Sequence, residues 1–329
     1  MSNKPINIGV VGVGHLGIHH VKHYKEIQSL NLIGIYDTDI ARGEYVAKKY
    51  NTNFFQSLEN LIKEVDGLSI VTPTPIHFKT AKLCIENKKH VFIEKPITVT
   101  LKEADLLLKL GKKYSVIIQV GHIERLNPAL LALKSYKIEP KFIEIQRLAP
   151  YTTRGTDVPV VLDKMIHDID ILLSLVQTKV ASIQATGISI ITNSLDIAHA
   201  RIQFENHTVA SLMSSRIAQN NLRKVKIFQK DLYSTIDLLK GITEIYKIKK
   251  TQYSKTNILD TVTFERNGKK RYITYMKPNI KKHDALKLEL INFVESIKGN
   301  EKPIVDGKTG RNALAMALNI QKMIQKELF

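Results

Sequence analysis

The sequence predicts an α/β domain on a doubly wound parallel sheet, followed by an α+β domain. Three observations carry that prediction. Up to Gly121, short apolar runs alternate with helical patterns, the rhythm of a parallel sheet covered by helices on both faces. Gly12-Val13-Gly14-His15-Leu16-Gly17 occupies the first strand-to-helix turn. After Gly121 the rhythm becomes a run of extended segments closed by two helices, an α+β order. The domains are therefore expected at 1–122 and 123–329.

Taken in order, Ile6–Val11 reads as a buried strand, and the Gly-rich turn opens a helix ending near Glu26. Asn31–Tyr36, Asn53–Phe55, Gly67–Val71, His90–Ile93 and Val116–Val120 are the next strands. Between them lie helices over Asp39–Tyr50, after Ser57, over Ile76–Asn87 and after Thr100. Thr100 and Glu103 form a capping box, which satisfies two otherwise orphaned backbone donors. In the second part, Asn127-Pro128 opens a helix to about Ser135, with Pro at the first helical position. Lys141–Leu148 is a strand and Val161–Leu173 a helix. Extended segments follow near 180–191, 197–205, 208–215, 222–229, 232–238, 243–249, 257–266 and 270–274. Asn267-Gly268 is a hairpin turn signal, and helices near 283–298 and 309–327 close the chain.

Composition narrows the class. No run of 18 apolar residues occurs and no leader pattern opens the chain, so a cytoplasmic protein with no membrane partner is expected. The single cysteine, Cys84, excludes an internal disulfide or a cysteine metal cluster. The net charge of +18 raises nucleic acid as a partner. The lysines are scattered, however, with no aromatic interleaving, which argues against specific nucleic-acid binding and for a surface that attracts anionic small molecules.

The glycine motif follows a strand and opens a helix, the setting in which a dinucleotide pyrophosphate meets a helix N-terminus. Gly12, Gly14, His15, Leu16 and Gly17 are the candidate contacts. Asp37 ends the next strand, where a carboxylate accepts from ribose hydroxyls and repels a 2′-phosphate; NAD is favoured over NADP. Two later strand ends face the same crevice: the loop with Thr72, Pro73 and His77, and the charged pair Glu94-Lys95.

In an unbroken α-helix over Val161–Leu173, Asp163, His167 and Asp170 share a face, with Leu162, Ile166, Ile169 and Leu173 on another; Asp168 falls off the polar line and reads as ordinary. Alone, that face is equally an ordinary surface ion pair. A metal held by two Asp and one His is a further alternative, disfavoured because no other ligand cluster accompanies it.

Gly12/Gly14/Gly17, Asp37, the Thr-Pro stretch with His77, Glu94-Lys95-Pro96, Asp163-x3-His167-x2-Asp170 and Pro303–Gly307 together resemble the Gfo/Idh/MocA oxidoreductases. The resemblance implies a Rossmann domain and a second domain with a large open, mixed, mostly antiparallel sheet that makes homodimers or homotetramers. It implies that Lys95 and His167 face the nicotinamide and the reacting hydroxyl, with Asp163 beside them. Met165 replaces a glycine frequent in the family. Together with Gly121–Pro128, that variant is similar to bacterial nucleotide-sugar 3-dehydrogenases. The implied reaction is oxidation of the 3-hydroxyl of a UDP-N-acetylglucosamine-type sugar on the way to lipid A. In that reading His167 is the general base, Lys95 stabilises alkoxide charge, Asp163 contacts substrate or orients the site, and Asp170 tunes His167 from behind. Arg125, Tyr151 and Arg154 are candidates for diphosphate or uracil contacts. The competing readings are a polyol dehydrogenase of inositol type and a non-catalytic NAD-sensing regulator.

Overall fold

The computed structural model describes residues 5–152, 158–249, 258–266 and 268–328. They form two compact units.

The first unit comprises residues 1–123 and 284–315. Its strands are β1 (Ile6–Val11), β2 (Leu30–Tyr36), β3 (Asn53–Phe54), β4 (Gly67–Ile70), β5 (His90–Glu94) and β6 (Ile118–Gly121). All pair in parallel, in the order β3-β2-β1-β4-β5-β6. That is the strand order of a dinucleotide-binding doubly wound sheet, which places the switch point between β1 and β4. The helices are α1 (Gly17–Glu26), α2 (Ile40–Tyr50), α3 (Leu58–Glu64), α4 (Thr74–Glu86) and α5 (Leu101–Tyr114). Their starts follow the expected chemistry. Asp39 and Ser57 each accept a backbone N–H three residues on, and the Thr100–Glu103 capping box is complete. α4 starts at Thr74, so Pro75 lies in its first turn rather than in the loop.

The units depart from a single cut at 122/123. Helix α8 (Ala285–Ile297) belongs to the first unit although it comes late in the chain. Leu286, Leu290, Phe293 and Val294 form its apolar stripe and join the core of Ile8, Val10, Val21 and Phe92. Lys287 Nζ lies 2.9 Å from Glu26, and His23 Nε2 3.3 Å from Asp284, so α8 is also tied to α1. Chain order places α8 in the second domain, while its apolar stripe packs into the core of the first unit.

The second unit comprises residues 124–283 and 316–329. The segment after Asn127 is one α-turn, α6 (Pro128–Leu131), tightening into a 3-10 turn over Ala132–Ser135. The strands are β7 (Phe142–Leu148), β8 (Val180–Ile188), β9 (Ile197–Phe204), β10 (Val209–Ser215), β11 (Leu222–Gln229), β12 (Leu232–Asp237), β13 (Ile242–Lys249), β14 (Ile258–Arg266) and β15 (Lys269–Met276). They form a nine-stranded sheet, β14-β15-β13-β12-β11-β7-β10-β9-β8. Among the described residues only the β7–β10 pair is parallel, which makes the sheet mixed and mostly antiparallel. Of the hairpin signal, Asn267 lies outside the described residues, while Gly268 has φ +69°. Alternation sends Ile143, Ile145, Val225 and Ile227 inward. The opposite face mixes polar residues such as Glu144, Lys226 and Glu244 with exposed Met213, Ile248 and an aromatic row.

The helix over Val161–Leu173 differs from expectation. It opens with a π-helical turn, Val161–Met165, closed by Ile166 N–H to Val161 O, and continues as α7 (Ile166–Leu175). The final helix, α9 (Gly307–Leu328), runs from the first unit into the second.

One carboxylate organises the β8–β9 connection. Asp196 Oδ2 accepts from the N–H groups of Ile190, Ile191 and Thr192 at 2.8, 2.7 and 3.0 Å, and Thr192 Oγ1 donates to Oδ1 at 2.6 Å. Burial alone would raise this carboxyl, but these donors hold it down to about 2 from an ordinary 3.8. A depressed carboxyl stabilises the fold above its unfolded pKa and loses that contribution as pH falls through the folded value. The difference corresponds to about 2 kcal/mol. Asp196→Asn is therefore expected to lower stability by about that amount at neutral pH. In urea unfolding, the gap between the two proteins should close as pH falls from about 4 toward 2.

Candidate functional site

In the first unit, the Gly-rich turn and the ends of β2 and β4 enclose a cavity of about 620 Å³, lined by Gly12, Gly14, Asp37, Thr72 and Pro73 among others. Gly12 has φ +86°, and a Cβ there would lie 2.7 Å from Val71 O. A Cβ on Gly17 would lie 2.0 Å from Gly12 O, so α1 packs against the turn only because position 17 lacks one. Gly14 is different: a Cβ there meets no protein atom within 4 Å. Protein packing does not demand glycine at 14, but the approach of a pyrophosphate does. Gly14→Val is thus expected to leave thermal unfolding unchanged while weakening NADH binding at least about tenfold, measured by fluorescence titration.

Asp37 closes the other side of the cavity. Its Oδ2 accepts Val13 N–H at 2.7 Å and its Oδ1 accepts Asp39 N–H at 2.9 Å. A carboxylate offers about four lone-pair sites, so capacity remains for ribose hydroxyls. Asp39 caps α2 through Arg42 N–H and pairs with Arg42 Nη2 at 3.0 Å. Thr72 Oγ1 is buried with no hydrogen-bond partner in the protein. An orphaned hydroxyl in the cavity wall, a cradle open at Gly14 and a carboxylate at the β2 end fit a dinucleotide.

Other candidates of this unit lie outside the cavity lining. His15 is exposed and stacks edge-on against His19 at 5.7 Å, and Leu16 is 40% exposed. His77 is buried; its Nδ1 lies 2.9 Å from Pro96 O and its Nε2 2.8 Å from Thr72 O. It ties the loop after β4 to the loop after β5. Burial holds its pKa below the ordinary value, against the two carbonyls, which favour the imidazolium. Glu94 is buried with Oε1 3.1 Å from His20 Nε2, and its Oε2 accepts Lys95 N–H at 3.2 Å. Lys95 is half-buried and joined to Pro96 by a cis peptide. His20 was missed by sequence reasoning. Its signal was its place on the inward stripe of α1 with Val21 and Tyr24.

In the second unit, His167 lies in the first turn of α7 and Asp163 in the π-helical turn before it; both are half-buried. Lys164 Nζ is 3.5 Å from Asp163 Oδ2. Two expectations are corrected here. Asp170 is not half-buried like Asp163 and His167. It is fully buried, and Arg125 donates to both its oxygens, from Nε at 2.7 Å and Nη2 at 2.9 Å. Asp168 is not ordinary. It is buried against Arg147, which donates to it from Nε and Nη2 and to Glu124 from Nη1 at 2.9 Å. His167, Asp168 and Asp170 all lie in the regular helix α7, so the helix period holds among them; what it could not supply is their burial and the arginine that meets each carboxylate.

Arg147 lies on the inward phase of β7 beside Ile143 and Ile145. A charged residue in an apolar phase was the signal that could have found it. Burial opposes its charge, but Asp168 and Glu124 outweigh that and raise its pKa. Burial raises the Asp168 carboxyl against the pull of Arg147, whereas at Glu124 Arg147 and Arg223 overcome burial and lower it. Tyr151 is 44% exposed. Arg154 lies outside the described residues.

A doubly wound domain with this cavity defines the class of dinucleotide-binding proteins. The chain belongs to the Gfo/Idh/MocA oxidoreductase family. Residues 6–122 match its NAD-binding Rossmann fold, and residues 147–327 match its C-terminal alpha/beta domain. It is 33% identical over 318 residues to UDP-N-acetylglucosamine 3-dehydrogenase from Acidithiobacillus ferrooxidans, covering 96% of each chain. The solved structure of a protein of that name and organism matches with TM-score 0.88 and 32% identity, covering 99% of this chain and 100% of that one. Myo-inositol 2-dehydrogenase from Thermotoga maritima is 24% identical over 342 residues, 98% of this chain and 97% of that one. The family and the cavity agree on NAD as the cofactor of this oxidoreductase.

Proposed function

We propose that the chain oxidises the 3-hydroxyl of a UDP-N-acetylglucosamine-type nucleotide sugar. The carrying observation is the full-length similarity to a relative with that named activity. The net charge of +18 also suits a diphosphate substrate.

The chemistry that bound NAD would supply is acceptance of a hydride from the carbinol carbon. His167 takes the hydroxyl proton as general base, and Lys95 hydrogen-bonds the same oxygen and stabilises the charge that develops on it. Asp163 contacts the sugar or orients the imidazole. Tyr151 and Arg154 are assigned to the diphosphate or the uracil. Glu94 and His77 act on Lys95 from behind, through its backbone N–H and the Pro96 carbonyl.

The setting is cytoplasmic amino-sugar synthesis for lipopolysaccharide, with the enzyme a homodimer or homotetramer through the second sheet. An aromatic row supports that assembly. Phe228, Tyr233, Tyr246 and Tyr275 stack across β11, β12, β13 and β15, and Phe142 on β7 meets Phe228 at a tilt, with neighbouring centroids 4.6–5.8 Å apart. Light scattering should give the mass of two or four chains.

A panel of UDP-N-acetylglucosamine, other nucleotide sugars and inositols, followed by NADH absorbance, tests the reading. Fastest turnover is expected with UDP-N-acetylglucosamine. The inositol alternative has support from the Thermotoga maritima relative, and preferred turnover of an inositol would establish it. No turnover with any member, alongside tight NAD binding, would favour a regulator.

A further inference from the structure

We propose that Arg125 is a positioning residue for His167, acting through Asp170, with Arg147 and Asp168 as the second anchor of the same helix. The inference rests on the reading of His167 as the base.

Helix geometry makes the case. In α7 each residue advances roughly 100°. Asp168, one residue after His167, therefore points roughly 100° to one side of it, and Asp170, three residues after, roughly 60° to the other. His167 projects between two anchored carboxylates, so α7 cannot rotate about its axis without breaking one of them. Each anchor is a guanidinium fork. Arg125 meets Asp170 at 2.7 and 2.9 Å, and Arg147 meets Asp168 at 2.7–3.0 Å. Two parallel hydrogen bonds constrain direction as well as distance, which a single lysine contact does not.

The anchors converge. Arg125 follows Glu124 in the chain, and Glu124 accepts from Arg147 Nη1 at 2.9 Å and from Arg223 Nη1 at 3.2 Å. Arg223 pairs with Arg147 across β11 and β7. Asn127 donates to the other oxygen of Glu124 at 3.1 Å. Arg147, Asp168, Glu124 and Arg223 thus form one connected network, and the Arg125–Asp170 pair adjoins it through the Glu124–Arg125 chain step. The exposure of the Arg125 side chain is 15% and that of Asp170 1%. An arginine held this way has two nitrogens committed inside the protein, which sets it apart from one waiting for a diphosphate.

The experiment compares Arg125→Met, Arg125→Lys, Asp170→Asn and the Arg125→Met/Asp170→Asn double variant. It uses the best sugar from the wild-type panel, so each variant is read as a ratio to wild type whichever sugar that is. Failure of the functional reading appears in the wild type alone. The expected result is a kcat loss of roughly 10- to 100-fold in Arg125→Met and in Asp170→Asn, with KM for the sugar changed less than about threefold. The double variant should lose no more than the worse single one, since the two side chains act as a unit. Arg125→Lys should recover part of kcat. NADH titration and thermal unfolding run alongside, and the lysine and asparagine variants keep the test open if Arg125→Met does not fold. A raised KM for the sugar with kcat unchanged in Arg125→Met would make Arg125 a substrate contact and overturn the proposal. So would additive losses in the double variant, or wild-type kcat in Asp170→Asn.

Discussion

His167→Asn is expected to reduce turnover by roughly 10²–10⁴-fold, the range lost when a positioned general base is removed. Asparagine keeps a hydrogen-bonding group of similar reach but cannot accept the hydroxyl proton. His167 lies in the second unit, whereas the dinucleotide cavity is built wholly from the first. NADH affinity should therefore stay within about twofold of wild type, well under 1.4 kcal/mol. Steady-state rates and NADH fluorescence titration on one preparation decide it. Near-wild-type turnover would sink the base assignment, and loss of NADH binding would show that the substitution acts through the fold.

Arg147→Met is expected to cost about 3–5 kcal/mol of stability, the range for breaking a buried ion pair from one side. Methionine approximates the length of the side chain but leaves Asp168 and Glu124 buried without their main partner. Arg147 is 5% exposed, Asp168 1% and Glu124 6%, so water cannot replace the lost donors. Arg223 provides the contrast. Its guanidinium touches the same Glu124 oxygen at 3.2 Å, but its side chain is 44% exposed. Arg223→Ala should cost less than about 1 kcal/mol. Urea midpoints for both variants test the contrast, and equal losses would refute the assignment of Arg147 as the buried hub.

Much of the fold was legible in the chain because its signals are local. Period-two and period-3.6 apolar patterns, the caps at Asp39, Ser57 and Thr100, and the Gly12–Gly17 turn depend on neighbouring residues only. The cofactor site was legible for the same reason, since Gly12, Gly14, Gly17 and Asp37 lie within one strand–helix–strand unit. The buried network was not. Glu124, Arg147, Asp168 and Arg223 come from four separated segments, and no local pattern says which arginine meets which carboxylate. The π-helical turn was also hidden, because Val161–Met165 has the composition of an ordinary amphipathic helix.

By itself, the sequence determined a parallel dinucleotide-binding domain and a mostly antiparallel second domain, and it offered His167, Asp163 and Lys95 as candidates for the chemistry. Tertiary structure alone decided that α8 completes the first core, and that Asp168 and Asp170 are clamped by arginines instead of lying in the open. The physical reason is desolvation. Burial makes an unpaired charge costly, so packing decides which charges must find partners, and packing is a property of the folded chain rather than of any short stretch of it.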